Sequence, residues 1–389
     1  MKLLLASAAA ALMATSFGAS AADLAKRAPV AVDYVKVCDA YGAGFFYIPG
    51  TDTCLKIGGY VRADIVGGDD DFGKYGGDRD ADRYTTRARL QLQVDARSNT
   101  SFGLLRSYAA ANFQFDSGAG HNMELDQAYI QWGGLTAGKA QSYFDFFTGY
   151  APAFVYGETV HDDKVTMLAY TFAFSGGLSA TLSLEDTMGA GRLEDGSTPG
   201  SAFAGTYGGN KAPDFVGNLK LEQGWGTAQV MGVLHHAYSD TNVIDEMGFA
   251  VGAGVTIKLP TLGEKDEFGV QVAYADGAVR YLGFDLTDDA TAAYDFNVLG
   301  DRSKGWSGLV GYQHSFSSKI VGVVQGGYVS FDSASNADDY SRWDATAGLI
   351  WTPVDNLDIS TFVEYRANDF DAKADTDGFA VGLRLQRTF

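Results

Sequence analysis

Apolar and polar residues alternate along most of this chain with a period of two, the spacing of a strand whose two faces meet different surroundings. Leu90, Leu92 and Val94 interleave with Arg87, Arg89, Gln91, Gln93 and Asp95, which share the opposite parity. An earlier stretch sets Leu55, Ile57, Val61 and Ile65 against Lys56, Tyr60, Arg62 and Asp64. Towards the C-terminus, Trp343, Ala345, Ala347, Leu349 and Trp351 alternate with Asp344, Thr346 and Thr352. Leu357, Ile359, Val363 and Tyr365 then alternate with Asp358, Ser360, Glu364 and Arg366. The chain ends on Phe379, Val381, Leu383 and Leu385 set against Ala380, Gly382, Arg384 and Gln386. The runs 249–257 and 268–274 keep the apolar face but carry Gly, Ala and Thr on the second face. The longest uncharged run, 165–184, is broken by Ser175-Gly176-Gly177 and dotted with Thr and Ser, so it reads as two strands and a turn.

A soluble sandwich alternates in the same way, with its apolar face inward. Two features favour the inverted arrangement of a membrane barrel: aromatics near strand ends, and short turns alternating with long polar loops. Short turns fall near Ser98-Asn99, Gly133-Gly134, 175–177, Gln223-Gly224, 259–263, Ser317-Ser318 and 353–356. The longer connections are 67–82, 117–122, 145–163, 187–213, 239–246, 276–303, 332–340 and 367–376. About sixteen strands lie between them, a number that leaves an aqueous lumen rather than a filled core. An even count puts both chain ends on the periplasmic side. In lipid the ladder must close on itself, because an open edge leaves backbone groups unpaired. The fold class expected is all-β, a transmembrane antiparallel β-barrel in one domain over residues 22–389.

The N-terminus changes the picture by adding an address. Met1-Lys2, an apolar stretch to Met13 and Ala19-Ser20-Ala21 form a secretory signal peptide over residues 1–21, with a small-x-small cleavage site. Removing it takes one cation, Lys2, so the net charge of −19 becomes −20. An exported chain this acidic repels nucleic-acid phosphates, and no nucleic-acid partner is expected. Apolar residues make up 46%, yet the mean hydropathy is only −0.07, so the two kinds are finely mixed. Glycine is abundant at 49 residues against 7 prolines, which suits close strands and tight turns. Tyr (21) and Phe (25) exceed what a soluble core of this size uses, and aromatic girdles would employ them. The two cysteines, Cys38 and Cys54, read as a disulfide in an oxidising compartment, with two buried free thiols as the alternative. A zinc site is disfavoured, because no histidine stands nearby.

The stretch from Val37-Cys38-Asp39-Ala40-Tyr41-Gly42 to Cys54-Leu55-Lys56-Ile57-Gly58-Gly59-Tyr60-Val61-Arg62 closely resembles the entry segment of the alphaproteobacterial general porins. So do Gln127-Ala128-Tyr129-Ile130-Gln131-Trp132 and Gly138-Lys139-Ala140-Gln141-Ser142-Tyr143-Phe144-Asp145. Phe389, ending an alternating strand, resembles the signal by which outer-membrane barrels address their assembly machinery. The resemblance implies a homotrimer of sixteen-stranded barrels in outer-membrane lipid and lipopolysaccharide. It also implies a third loop folded into the lumen as a constriction, and passive diffusion of small hydrophilic solutes and ions without a cofactor or a metal.

By strand order the third long connection is 145–163, which carries Asp145, Glu158, Asp162 and Asp163 beside apolar Phe146, Phe147, Phe154 and Val155. On its own this reads equally as a solvated surface loop or as an inward acidic loop pinned by its apolar residues; the resemblance implies the second. Arg62, Arg87, Arg89 and Arg106 fall on the lumen parity of the first three strands, and Arg384 does so on the last, which neighbours the first once the barrel closes. These make a basic wall patch. Arginine on the lipid face would cost about 2–4 kcal/mol at the midplane, so lumen placement is expected, whether the patch faces the loop acids or only pairs with Asp64 and Asp95. The net charge points to cation preference and the arginine wall to the reverse.

An outer-membrane hydrolase would need a serine–histidine dyad. The five histidines, His121, His161, His235, His236 and His314, have no HxxxH or HExxH spacing, and no GxSxG elbow occurs. An adhesin or structural anchor would require a narrow, plugged barrel without inward charge separation. The channel reading fits the pattern better than either.

Overall fold

The computed structural model describes residues 36–68, 84–118, 120–151, 159–186, 211–238, 245–283, 295–296, 301–334, 339–371 and 374–389. A two-residue strand β1 (Phe46–Tyr47) precedes sixteen long strands. These are β2 (Cys54–Gly68), β3 (Tyr84–Thr100), β4 (Gly103–Asp116), β5 (Gly120–Trp132), β6 (Leu135–Gln141), β7 (Lys164–Ala173), β8 (Leu178–Asp186) and β9 (Asp214–Gln223), followed by β10 (Gly226–Tyr238), β11 (Asp245–Lys258), β12 (Glu267–Asp276), β13 (Lys304–Ser317), β14 (Ile320–Asp332), β15 (Tyr340–Val354), β16 (Leu357–Phe370) and β17 (Thr376–Thr388). Each pairs antiparallel with its sequence neighbours, and β17 pairs with β2, so the sheet closes into a ring. The seam is in register: Arg384 lies opposite Asp64 and Leu383 opposite Ile65. Phe389 extends it, exchanging two backbone hydrogen bonds with Gly59 (3.0 and 3.2 Å). Closure satisfies the backbone within the wall, as crossing a bilayer with strands requires.

Period two decides which side each residue sees. Val61, Leu90 and Leu383 turn outward and are exposed, while Asp64, Asp95 and Arg384 turn inward and are buried. This is a soluble protein inverted, with its apolar residues on the outer surface. Aromatic pairs such as Trp343–Tyr365 and Trp306–Tyr328, each 4.9 Å between centroids, and Phe102–Trp132 at 5.6 Å mark the strand ends. Strands β5 and β16 run further than the alternation suggests, β16 to Phe370. Backbone pairing continues there with neighbours of any polarity, because above the apolar band both faces meet polar surroundings.

Cys38 and Cys54 are bonded, which closes the expected short loop and excludes the free-thiol alternative. The bond sits in a small apolar cluster with Phe45, Tyr41 and Tyr47. The expected signal peptide lies outside the described residues.

Candidate functional site

The barrel interior carries a set of charged residues, and their partners sort them. Arg384 clasps Asp64 through two hydrogen bonds (2.7 and 3.1 Å), both side chains buried. Arg87 grips Asp116 in the same two-pronged way (2.7 and 3.0 Å). Asp95 accepts from both Arg97 and Arg106, at 2.7–3.0 Å. Arg62 and Arg89 differ. They stand opposite each other across the β2–β3 ladder, and the hydrogen bonds of each go to a neutral carboxamide, Gln386 for Arg62 (2.9 Å) and Gln114 for Arg89 (2.7 Å). The Arg62 guanidinium also lies 4.5 Å over the Tyr60 ring. All five arginines expected on the wall thus face inward, and Arg62 and Arg89 are the two whose bonds include no carboxylate.

The segment between β6 and β7 is bound to the inner wall rather than standing above it. Its Phe146 and Phe147 N–H groups donate to the Gln271 side-chain oxygen on β12 (3.0 and 2.7 Å). The Tyr150 and Ala151 N–H groups donate to Gln325 on β14 (2.8 and 3.2 Å). On the return, Thr159 gives its N–H and hydroxyl to Asp344 on β15 (3.3 and 2.8 Å). Near its start, Glu185 on β8 accepts from the Ser142 hydroxyl (2.7 Å) and the Tyr143 N–H (3.0 Å). Glycines on the inner face give the aromatics room. A Cβ on Gly254 would run into the Phe146 ring, and one on Gly269 into the Phe147 ring. Gly149, at φ +87°, brings the backbone so close to Gln325 that a Cβ would collide with its side-chain oxygen.

The carboxylates expected on this segment are placed differently from one another. Asp145 is buried, and one oxygen accepts the Asp163 N–H (2.6 Å) and the Gln141 amide (3.3 Å), so it ties the two ends of the segment together. Sequence reasoning placed Asp145 on this segment but missed that tie. Asp162 is exposed and pairs with Lys164 at 2.5 Å, and Asp163 is half-buried. Glu158, Phe154 and Val155 lie outside the described residues. Sequence reasoning missed the landing residues Gln271, Gln325 and Asp344. The one signal present was the Gly, Ala and Thr face of 249–257 and 268–274, which is where Phe146 and Phe147 rest.

On the rim that carries the chain ends, Asp266 in the β11–β12 turn accepts from the Tyr312 hydroxyl (2.7 Å), His314 Nδ1 (2.7 Å) and the Ser315 N–H (2.8 Å). Burial opposes its ionisation, but the Ser315 N–H and the His314 and Tyr312 side chains outweigh it and hold the carboxyl down at about 2.

A closed sixteen-stranded wall, apolar outside and charged within, defines a transmembrane channel protein. The chain belongs to the porin family: residues 24–383 match the family model described as the Porin subfamily. It is 34% identical to Porin Omp2b of Brucella suis biovar 1, covering 100% of this chain and 99% of that one. Among solved structures, the outer membrane channel DcaP of Acinetobacter baumannii superposes with a TM-score of 0.72 at 16% identity, over 88% of this chain and 99% of that one. The in-vitro folded OmpT of Vibrio cholerae, in trimer form, superposes with a TM-score of 0.50 at 11% identity, over 87% and 100%. This chain is an outer-membrane channel and not an enzyme.

Proposed function

We propose that this porin passes small hydrophilic solutes and ions by passive diffusion, and that the segment 142–163 narrows its lumen opposite the arginine wall. The supporting observation is the reach of that segment: it leaves β6 and hydrogen-bonds Gln271 on β12, Gln325 on β14 and Asp344 on β15, strands far from β6 in the ring, so it runs through the space that the inward arginines line. Charge in such a gap acts through a medium less polarisable than bulk water, so each unit counts for more than on an open surface. Arg62 and Arg89 supply the positive side, with Arg87, Arg106 and Arg384 tied to acids. Asp162, Asp163 and Glu158 supply the loop side. The test is single-channel conductance with reversal potential in a salt gradient: Glu158→Gln with Asp162→Asn and Asp163→Asn should move selectivity towards anions. Unchanged selectivity at low salt would remove the segment from the constriction.

The same reading makes the assembly a homotrimer, exported by residues 1–21 and recognised for insertion through Phe389. Lys139 supports the trimer. It pairs with Ala128 and Thr166 and shares the outer face with Ile130 and Trp132, its ammonium donating to the Leu125 carbonyl (2.8 Å). A lysine there is costly against lipid and tolerable in a subunit contact. Cross-linking of the purified protein in mild detergent tests this, with a monomer as the contrary result.

A further inference from the structure

His235 lies buried at the upper end of β10, where nothing in solute passage uses it. Its Nδ1 donates to Asp214 on β9 (2.7 Å), and its Nε2 stands 3.6 Å from Asp295 in the β12–β13 connection. Both carboxylates also hold the short turn Val279–Leu282. Asp295 accepts the Val279 N–H (2.5 Å), and Asp214 accepts the Tyr281 hydroxyl. The β6–β7 segment rests on that turn at both its ends. Phe144 packs edge-on against Tyr281 at 4.9 Å. On the return, the Val160 N–H donates to the Gly283 carbonyl (2.6 Å). Gly283, at φ +74°, lies so close beneath the His161 ring that a Cβ would come within 2.7 Å of it.

We propose that His235 is a positioning residue of the channel: by bridging Asp214 and Asp295 it fixes the turn Val279–Leu282, and through Tyr281 and Gly283 that turn holds both ends of the lumen segment in place. The proposal rests on the reading that this segment narrows the lumen. The groups around His235 are Asp214 and Asp295, with Glu185 opposite Asp214 in the ladder, Tyr281 and Arg280 on the turn, His161 beyond Phe144, and exposed Glu246 on β11. Three buried carboxylates, Asp214, Asp295 and Glu185, against one imidazole and the Arg280 guanidinium make the node sensitive to acid. Burial pushes the Asp295 carboxyl up, so it takes a proton before ordinary carboxylates as pH falls. Protonation weakens its hold on the Val279 N–H and on His235, and the turn loosens.

The experiment uses the full-length protein in planar bilayers and, in parallel, maleimide labelling of a Val160→Cys background, in which the two native cysteines are already bonded to each other. Tyr281→Phe removes only the hydroxyl that reaches Asp214 and keeps the ring against Phe144. His235→Gln keeps a donor for one carboxylate but not the ring whose two nitrogens reach both Asp214 and Asp295. At about pH 7 both variants should label the introduced thiol about tenfold faster than the parent and show more frequent brief closures. That factor corresponds to about 1.4 kcal/mol, the scale of one buried hydrogen bond. The parent should behave like the variants only in acid, and Asp295→Asn should flatten that pH profile. If His235→Gln does not fold, Tyr281→Phe decides. Unchanged labelling in Tyr281→Phe, or a parent whose labelling does not change between neutral and acid pH, overturns the proposal. Faster labelling with steady conductance upholds the latch and overturns the constriction.

Discussion

Arg62 and Arg89 face each other directly across the β2–β3 ladder, and each donates to a glutamine oxygen rather than to a carboxylate. Like charges in that relation repel, and the two glutamines offset the repulsion only partly. The pair therefore keeps its positive charge for the lumen. Replacing both with glutamine should shift the reversal potential towards cations, an effect that shrinks as the Debye length falls to about 3 Å at 1 M salt. Reversal potentials at low and high salt check both halves of that expectation.

Arg384 should behave in the opposite way. Its charge is already answered by Asp64, so neutralising the pair together, Arg384→Gln with Asp64→Asn, should change selectivity little. Arg384→Gln alone leaves a buried carboxylate without its guanidinium, a loss of about 3–5 kcal/mol for such pairs. Thermal unfolding in detergent should show the destabilisation of the single variant, and bilayer recordings should show near-parental selectivity in the double one.

The landing residues Gln271 and Gln325 each accept two backbone N–H groups from the lumen segment. Gln271→Ala or Gln325→Ala leaves those donors unsatisfied, at a cost of about 1–3 kcal/mol each. The double variant should have a higher and noisier single-channel conductance than the parent while keeping its strand content by circular dichroism.

The barrel was legible in the sequence because lipid and water impose opposite demands on adjacent residues, and a period of two records them without any tertiary knowledge. The seam could be read too: Arg384 and Asp64 share lumen parity on the last and first long strands, and closure brings them together. The placement of the lumen segment could not be read in this way. Gln271 and Gln325 look like any polar residue on an inner face until a backbone arrives from over a hundred positions away. Sequence gives the charge of Asp145 but not its partner, the Asp163 N–H. The role of His235 is hidden in the sequence for the same reason, as Asp214 and Asp295 lie on other elements.

Asp266 gives the rim a pH dependence of definite sign. Its carboxyl is held at about 2 against an ordinary 3.8, so ionised Asp266 favours the folded turn above about pH 4, and that contribution fades as pH falls through about 2. Asp266→Asn should lower thermal stability at neutral pH and leave the protein closer to its parent at the acid end. Melting temperatures across that range check it.

Loss of both cysteines removes a cross-link between residues 16 apart, worth about 3 kcal/mol on the chain-entropy model. The bond lies at the start of β2, away from the lumen segment, so Cys38→Ser with Cys54→Ser should reduce assembled yield while the surviving channels conduct normally.

The central claim is an open aqueous channel, and the most direct measurement is the conductance of the purified protein in planar bilayers as salt concentration is raised. A water-filled pore gives discrete steps whose size grows in proportion to bulk conductivity, apart from the charge effects expected at low salt. Absence of steps, or a conductance that saturates as bulk conductivity rises, would contradict it.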